Sequence, residues 1–255
     1  MKITHLNKAF TMAEVLITIG IIGVVAAMTL PTVMNKTKHR ELQTAFKKTY
    51  SELNQASQLF MVKEGMSFSE YAALNRSLGS PQLMTKFMGY FKGVSNYNKG
   101  LWNNRDDDTI VRPYKIKSLN GKKTTEGICD VTGRYADIAG RIYSLNDPPA
   151  TGVNGPIICV DTNGQKGPNR YGYDYFLFVF TTDGYVIPMG QNHKNNTSSI
   201  GDSNGSTLAT NGFVTGEEYC NYTESTLKGG YSCAYYAMQD KRPDEKGDYW
   251  NDFLD

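Results

Sequence analysis

From residue 15 to residue 34 the chain carries twenty successive side chains without a charge, V-L-I-T-I-G-I-I-G-V-V-A-A-M-T-L-P-T-V-M. At the helical rise of about 1.5 Å per residue such a run covers about 30 Å, the depth of a bilayer's hydrocarbon core. A membrane-spanning helix is predicted. From 35 to about 63 the pattern becomes amphipathic. Leu42, Phe46, Thr49, Leu53, Ala56 and Phe60 recur at alternating steps of four and three. Such positions share one face of a helix. Lys38, Glu41, Lys48 and Glu52 carry the opposite face, so the apolar stripe is expected to lie on a sheet. The heptad pattern is too short to favour a free coiled coil.

Beyond this stem the signals shorten. Residues 67–78 read as a small helix, with Ser67 as N-cap and Glu70 three positions on. A second is expected over 83–91. Strands and turns follow. Residues 109–119 alternate in part and end at Asn120-Gly121, and 157–161 read as a short buried strand. The clearest hairpin joins 175–181 (Y-F-L-F-V-F-T) to 185–187 through Asp183-Gly184. Residues 190–216 are rich in Gly, Asn, Ser and Thr and read as a long surface loop.

Composition refines this picture. Most of the 25 glycines lie beyond residue 89, as a turn-rich strand region requires. The four cysteines, Cys129, Cys159, Cys220 and Cys233, form no C-x-x-C pair, which argues against zinc. In an oxidising compartment an even count implies two disulfides. Three connectivities are open, and the spacing does not choose among them. Chain-neighbour pairing, Cys129–Cys159 and Cys220–Cys233, is the expectation carried forward.

The stretch before the apolar run separates a plain anchor from something more specific. A secretory signal peptide has about 7–15 apolar residues and then a small-x-small site. The present run is longer and continues without a turn into the amphipathic stem. Glu14 stands at its start, and a carboxylate deep in hydrocarbon costs roughly 2–3 kcal/mol. It therefore calls for an interfacial position or a partner. The string K-A-F-T-M-A-E-V-L-I-T-I-G-I-I-G-V-V-A-A-M-T-L-P, residues 8–31, resembles the prepilin signature of type IV pilins and type II secretion pseudopilins.

That resemblance implies a leader of residues 1–9, cut by a prepilin peptidase between Ala9 and Phe10, with Phe10 then N-methylated. The family usually has Gly where this chain has Ala9. It implies that Glu14, the fifth residue after the cut, pairs with the terminal amine of a neighbouring subunit, and that Pro31 falls at the family's helix proline. The implied organisation is a transmembrane helix over 10–34, a stem helix over 35–65 and a globular extracytoplasmic head over 66–255. The implied fold is α+β, a long N-terminal helix packed on an antiparallel sheet with a loop-rich C-terminal region. The implied location is the bacterial cytoplasmic membrane, then a pilus or pseudopilus. The implied partners are the peptidase, other pilin or pseudopilin subunits and an inner-membrane assembly platform. Lys36, Lys38 and Arg40 outnumber Lys2 and Lys8, so the positive-inside bias points the other way. Gly20, Gly23, Ala26 and Ala27 suit close helix packing in a membrane.

Other chemistry is sparse. Asp161, Asn163, Gln165 and Asp174 place oxygen donors as a calcium loop begins, but the position of the bidentate Glu is Gly172. A plain turn is the competing expectation, and calcium is the one candidate cofactor. Three histidines, His5, His39 and His193, and no H-E-x-x-H, P-loop or G-x-G-x-x-G motif give no basis for an enzyme. Without residues 1–9 the 27 basic residues fall to 25 and match the 25 acidic ones, so nucleic acid is not expected as a partner. The competing class is a monomeric membrane-anchored binding domain, adhesive or carbohydrate-binding, that does not assemble.

Overall fold

The computed structural model describes residues 11–91, 93–96, 116–122, 124–125, 129, 135–146, 151–194, 199–201, 207–211, 216–223 and 227–254. Helix α1 spans Met12–Glu64 and passes through Pro31. The chain divides into two compact units, Met1–Glu41 and Leu42–Asp255. The second therefore begins inside the expected stem.

In the first unit the described side chains of α1 are exposed, except for half-buried Ala26 and His39. Three of its hydroxyls are satisfied internally: Thr18, Thr29 and Thr37 donate to the carbonyls of Val15, Val25 and Val33 at 2.8, 3.0 and 2.9 Å. These bonds let threonine sit in an apolar helix without an unpaired hydroxyl.

In the second unit the upper part of α1 buries the stripe legible in the sequence, Leu42, Phe46, Thr49, Leu53, Ala56 and Phe60. Two short helices follow, α2 (Phe68–Leu74) and α3 (Gly79–Met88). The capping box forms: the Ser67 hydroxyl accepts from the Glu70 N–H, and the Glu70 side chain accepts from the Ser67 N–H. Helix α3 starts four residues earlier than the apolar pattern suggests. Pro81 lies in its first turn, where a missing N–H costs nothing.

Ten short strands are described. They are β1 (Val94–Asn96), β2 (Ile116–Lys117), β3 (Thr124–Thr125), β4 (Tyr135–Asp137), β5 (Ile142–Leu145), β6 (Ile157–Asp161), β7 (Tyr175–Phe180), β8 (Val186–Pro188), β9 (Ser199–Gly201) and β10 (Thr207–Asn211). The main sheet has the order β1-β4-β5-β6-β7-β8 and is antiparallel throughout. Strands β2 and β3 form a ribbon across the Asn120-Gly121 turn, where Gly121 has φ 72°. Residues 109–115 of the expected strand lie outside the described residues. A second ribbon, β9–β10, breaks up what the sequence reads as one long loop. A last helix, α4 (Cys233–Gln239), precedes the C-terminal turns.

The unbroken apolar run of β7 follows from its burial on both faces. Phe176, Phe178 and Phe180 belong to the core under the helices, where Phe46 meets Phe176 and Phe178 at 4.5 and 5.6 Å between ring centres. Leu177, Val179 and Tyr175 point into a second core with Cys129, Cys159, Ile187, Met189 and Tyr231. A strand covered on both sides has no polar face to show. The architecture is α+β, a long helix with an antiparallel sheet.

Candidate functional site

Two places carry the residues singled out in the sequence, and each is built differently. At the N-terminal end Ala9 and Phe10 lie outside the described residues. Glu14 is described, and it has a partner within the chain. Its Oε2 accepts from the Thr11 N–H and from the Thr11 hydroxyl, both at 2.8 Å, while the Glu14 N–H donates to Thr11 Oγ1 at 3.2 Å. T-M-A-E is thus a capping box, which satisfies donors that the first helical turn otherwise leaves open. The sequence leaves Glu14 an interfacial position or a partner, and this box gives it a partner inside the chain.

Beyond Glu14, the helix is long and apolar enough to cross a membrane, and its 18-residue apolar stretch is 0% buried in the molecule. Val15, Leu16, Ile17, Ile21, Ile22, Val24, Met28 and Leu30 are all exposed. Gly20 and Gly23 sit in this stretch with ordinary helical backbone, and a Cβ built on either meets nothing within 4 Å. Neither φ nor internal packing demands glycine there. In a water-exposed helix each glycine costs about 1 kcal/mol relative to alanine.

In the head, Asp161, Asn163, Gln165 and Asp174 are brought to one loop between β6 and β7. Both carboxylates are fully buried, whereas Gln165 is exposed. Asp174 accepts the N–H of Arg170 on Oδ1 at 2.7 Å and that of Asn169 on Oδ2 at 2.8 Å. Asp161 Oδ1 accepts from the Asn163 N–H at 3.2 Å. The Asn169 amide, turned to suit its neighbours, donates to Gly164 O at 3.1 Å and to Asp161 Oδ2 at 3.3 Å. Every carboxylate oxygen therefore already faces an N–H. Asn163 Oδ1 is buried without a hydrogen-bond partner, and Asn163 Nδ2 holds the Gly167 carbonyl at 3.0 Å.

Calcium takes six to eight oxygens. Among the described residues no group of three or more His, Cys, Asp or Glu side chains is placed to hold a metal ion. The donor set does not fit the ion. It forms a polar clasp that closes a tight loop, and the amide of Asn169 stands between the two acidic arms. Burial pushes the Asp174 carboxyl up to about 6, against the pull of the N–H bonds from Arg170 and Asn169 and of the Asn163 side chain.

A cluster that the sequence did not reveal lies beside the stem. Arg141, buried, reaches Asp137 at 2.5 Å and Thr49 at 3.1 Å and pairs with Glu52. The Tyr143 hydroxyl donates to Asp137 Oδ2 at 3.0 Å. Glu52 thus belongs to an ion network and not to a solvated face. Above it opens a cleft of about 410 Å³, lined among others by Lys48, Gln55, Leu59, Phe91 and Ile138. Tyr171, Tyr173, Tyr175 and Phe176, by contrast, are buried and offer no aromatic surface.

The cysteines join as Cys129–Cys159 and Cys220–Cys233, with Cα atoms 6.1 and 4.8 Å apart. Comparison of the chain with protein-family models, curated proteins and solved structures finds no match.

Proposed function

We propose that the chain is a prepilin-type subunit, clipped between Ala9 and Phe10, held in the bacterial cytoplasmic membrane by α1 with the head outside, and built into a type IV pilus or type II secretion pseudopilus. The observation that carries this reading is the helix over residues 15–34. It is apolar enough to span a bilayer, and none of its 18-residue apolar window is buried among the described residues. Exposed apolar surface on this scale demands lipid or other helices. Gly20 and Gly23, where a Cβ would meet no described atom within 4 Å, suit close approach by a neighbouring helix.

Glu14 takes the assembly role in this reading. In the lone subunit Thr11 holds its carboxylate. In a filament the terminal amine of a neighbour would supply an opposite charge, worth most where water is excluded. The partners are a prepilin peptidase, other subunits and a membrane assembly platform.

The test is the intact mass and N-terminal sequence of the chain, expressed with and without a prepilin peptidase. A peptidase-dependent start at Phe10, with one methyl group, is the expected result. A full-length chain in both cases rejects the prepilin pathway, provided an Ala9→Gly variant also stays uncut. A second reading, a membrane-anchored binding domain that never assembles, is favoured by the cleft above Arg141. Glu14→Ala separates the two: it stops filament formation in the first and leaves the second working.

A further inference from the structure

The turns that follow the apolar run carry Lys36, Lys38 and Arg40, all exposed, with Glu41 next to them. Three cations against one acid leave residues 35–41 with an excess of two positive charges, His39 counted neutral. The helix runs through this segment without a break, so its geometry can be read directly. At about 100° per residue Arg40 lies about 40° from Lys36 around the axis, and Lys38 about 160° away on the far side. The charges encircle the helix. A protein partner docked on one side would meet some of them and leave others facing away.

An encircling charge has a natural counterpart in a surface that the helix pierces. Lys36 lies about 3 Å and Arg40 about 9 Å along the axis beyond Met34. The interfacial layer on each side of the hydrocarbon is about 5–8 Å deep. Lysine and arginine stems reach several ångströms along the axis and bring their charges to that level. We infer that Lys36, Lys38 and Arg40 form a girdle for anionic lipid headgroups, which fixes the depth of the helix in the bilayer. This inference rests on the membrane-spanning reading above. It gives these residues a role on the extracytoplasmic side, where the positive-inside bias would not place them.

The probe is a trace of spin-labelled phosphatidylglycerol or spin-labelled phosphatidylcholine, with the full chain reconstituted in phosphatidylcholine bilayers at low salt. Electron spin resonance reads the fraction of each lipid slowed at the protein surface. Phosphatidylglycerol is expected to be favoured by at least about three-fold, a modest share of the roughly five-fold that each cation near an anionic surface supplies. The triple variant Lys36→Gln/Lys38→Gln/Arg40→Gln, used once its head is shown to unfold at the native temperature, should bring the two lipids to parity. About 0.5 M salt should do the same to the native chain. Lys36→Arg/Lys38→Arg should retain the preference. Equal association of both lipids with the native chain, or a preference that survives in the triple variant, overturns the inference. Salt-sensitive self-association in neutral bilayers would assign the girdle to a second copy and equally overturn it. A chain that alkaline carbonate strips from the bilayer fails the membrane-spanning reading itself, and the girdle falls with it. A chain that stays but shows no lipid preference fails the girdle alone.

Discussion

Asp174 and Arg141 are buried charges with opposite consequences. Asp174 is held by two backbone N–H groups, yet burial raises its carboxyl to about 6, above the unfolded value of 3.8. A group raised on folding contributes most below its unfolded pKa, and that contribution is lost as pH rises through the folded one. The native chain should therefore lose this part of its stability between about pH 4 and pH 6. Asp174→Asn should flatten the dependence in that window, read as urea midpoints at pH 4, 5, 6 and 7. At pH 7 the variant also sets an amide donor against backbone donors, which should cost about 1–3 kcal/mol. Arg141 has Asp137, Glu52 and Thr49 as partners and is almost fully covered. Arg141→Ala leaves the buried Asp137 carboxylate its hydrogen bonds from Tyr143 and two backbone N–H groups but no cation, so a loss of about 3 kcal/mol is expected. Lys48→Ala, which breaks an exposed contact to Glu52 at 3.9 Å, should change stability by no more than about 0.5 kcal/mol. Denaturant titration of both variants decides whether the cluster or its exposed rim matters.

At the scale of elements, α1 is one helix with two environments. From Leu42 upward its apolar face is closed by the phenylalanines of β7. Phe46→Ala should cost about 3–5 kcal/mol, because a fully buried ring leaves a cavity. Val25→Ala, in the uncovered stretch, should leave the unfolding of the head unchanged. Differential scanning calorimetry of both variants in the same detergent reads the contrast. The polar residues of the stem are less legible. Asn54 donates to Val186 O and accepts from its N–H, both at 2.9 Å, and so completes the edge of β8 as a neighbouring strand would. Ser57 and Gln58 donate to the Gly184 carbonyl at 2.8 Å. Gly184 has φ 87°, and a Cβ there would run into the Met61 sulfur. The turn glycine was readable from Asp183-Gly184. Its close approach to the stem was not, because that contact joins residues more than a hundred positions apart.

At the scale of the molecule the disulfides tie together parts that are far apart along the chain. Cys129–Cys159 spans 30 residues and joins two members of the second core, while Cys220–Cys233 spans 13. Serine at both Cys129 and Cys159 should lower stability by about 2–4 kcal/mol, chiefly by freeing the unfolded chain. The melting temperature before and after removal of that bond reads it, with Cys220–Cys233 intact as the internal control.

The sequence alone determined whatever depends on near neighbours: the apolar run, the buried stripe of the stem, the Ser67 capping box and the Asp183-Gly184 hairpin. Each follows from helical or strand period, or from a turn residue's own backbone preference. The Thr11–Glu14 box is of the same local kind, since its partners stand three positions apart. Tertiary structure decided what depends on distant partners. It set Glu52 into an ion network with Arg141 and filled the oxygens of Asp161 and Asp174 with N–H donors. It buried both faces of β7 and chose one cysteine pairing from three. Periodicity reports which face of an element is apolar. What covers that face, and which donor reaches a buried carboxylate, is settled only when segments remote in sequence pack together.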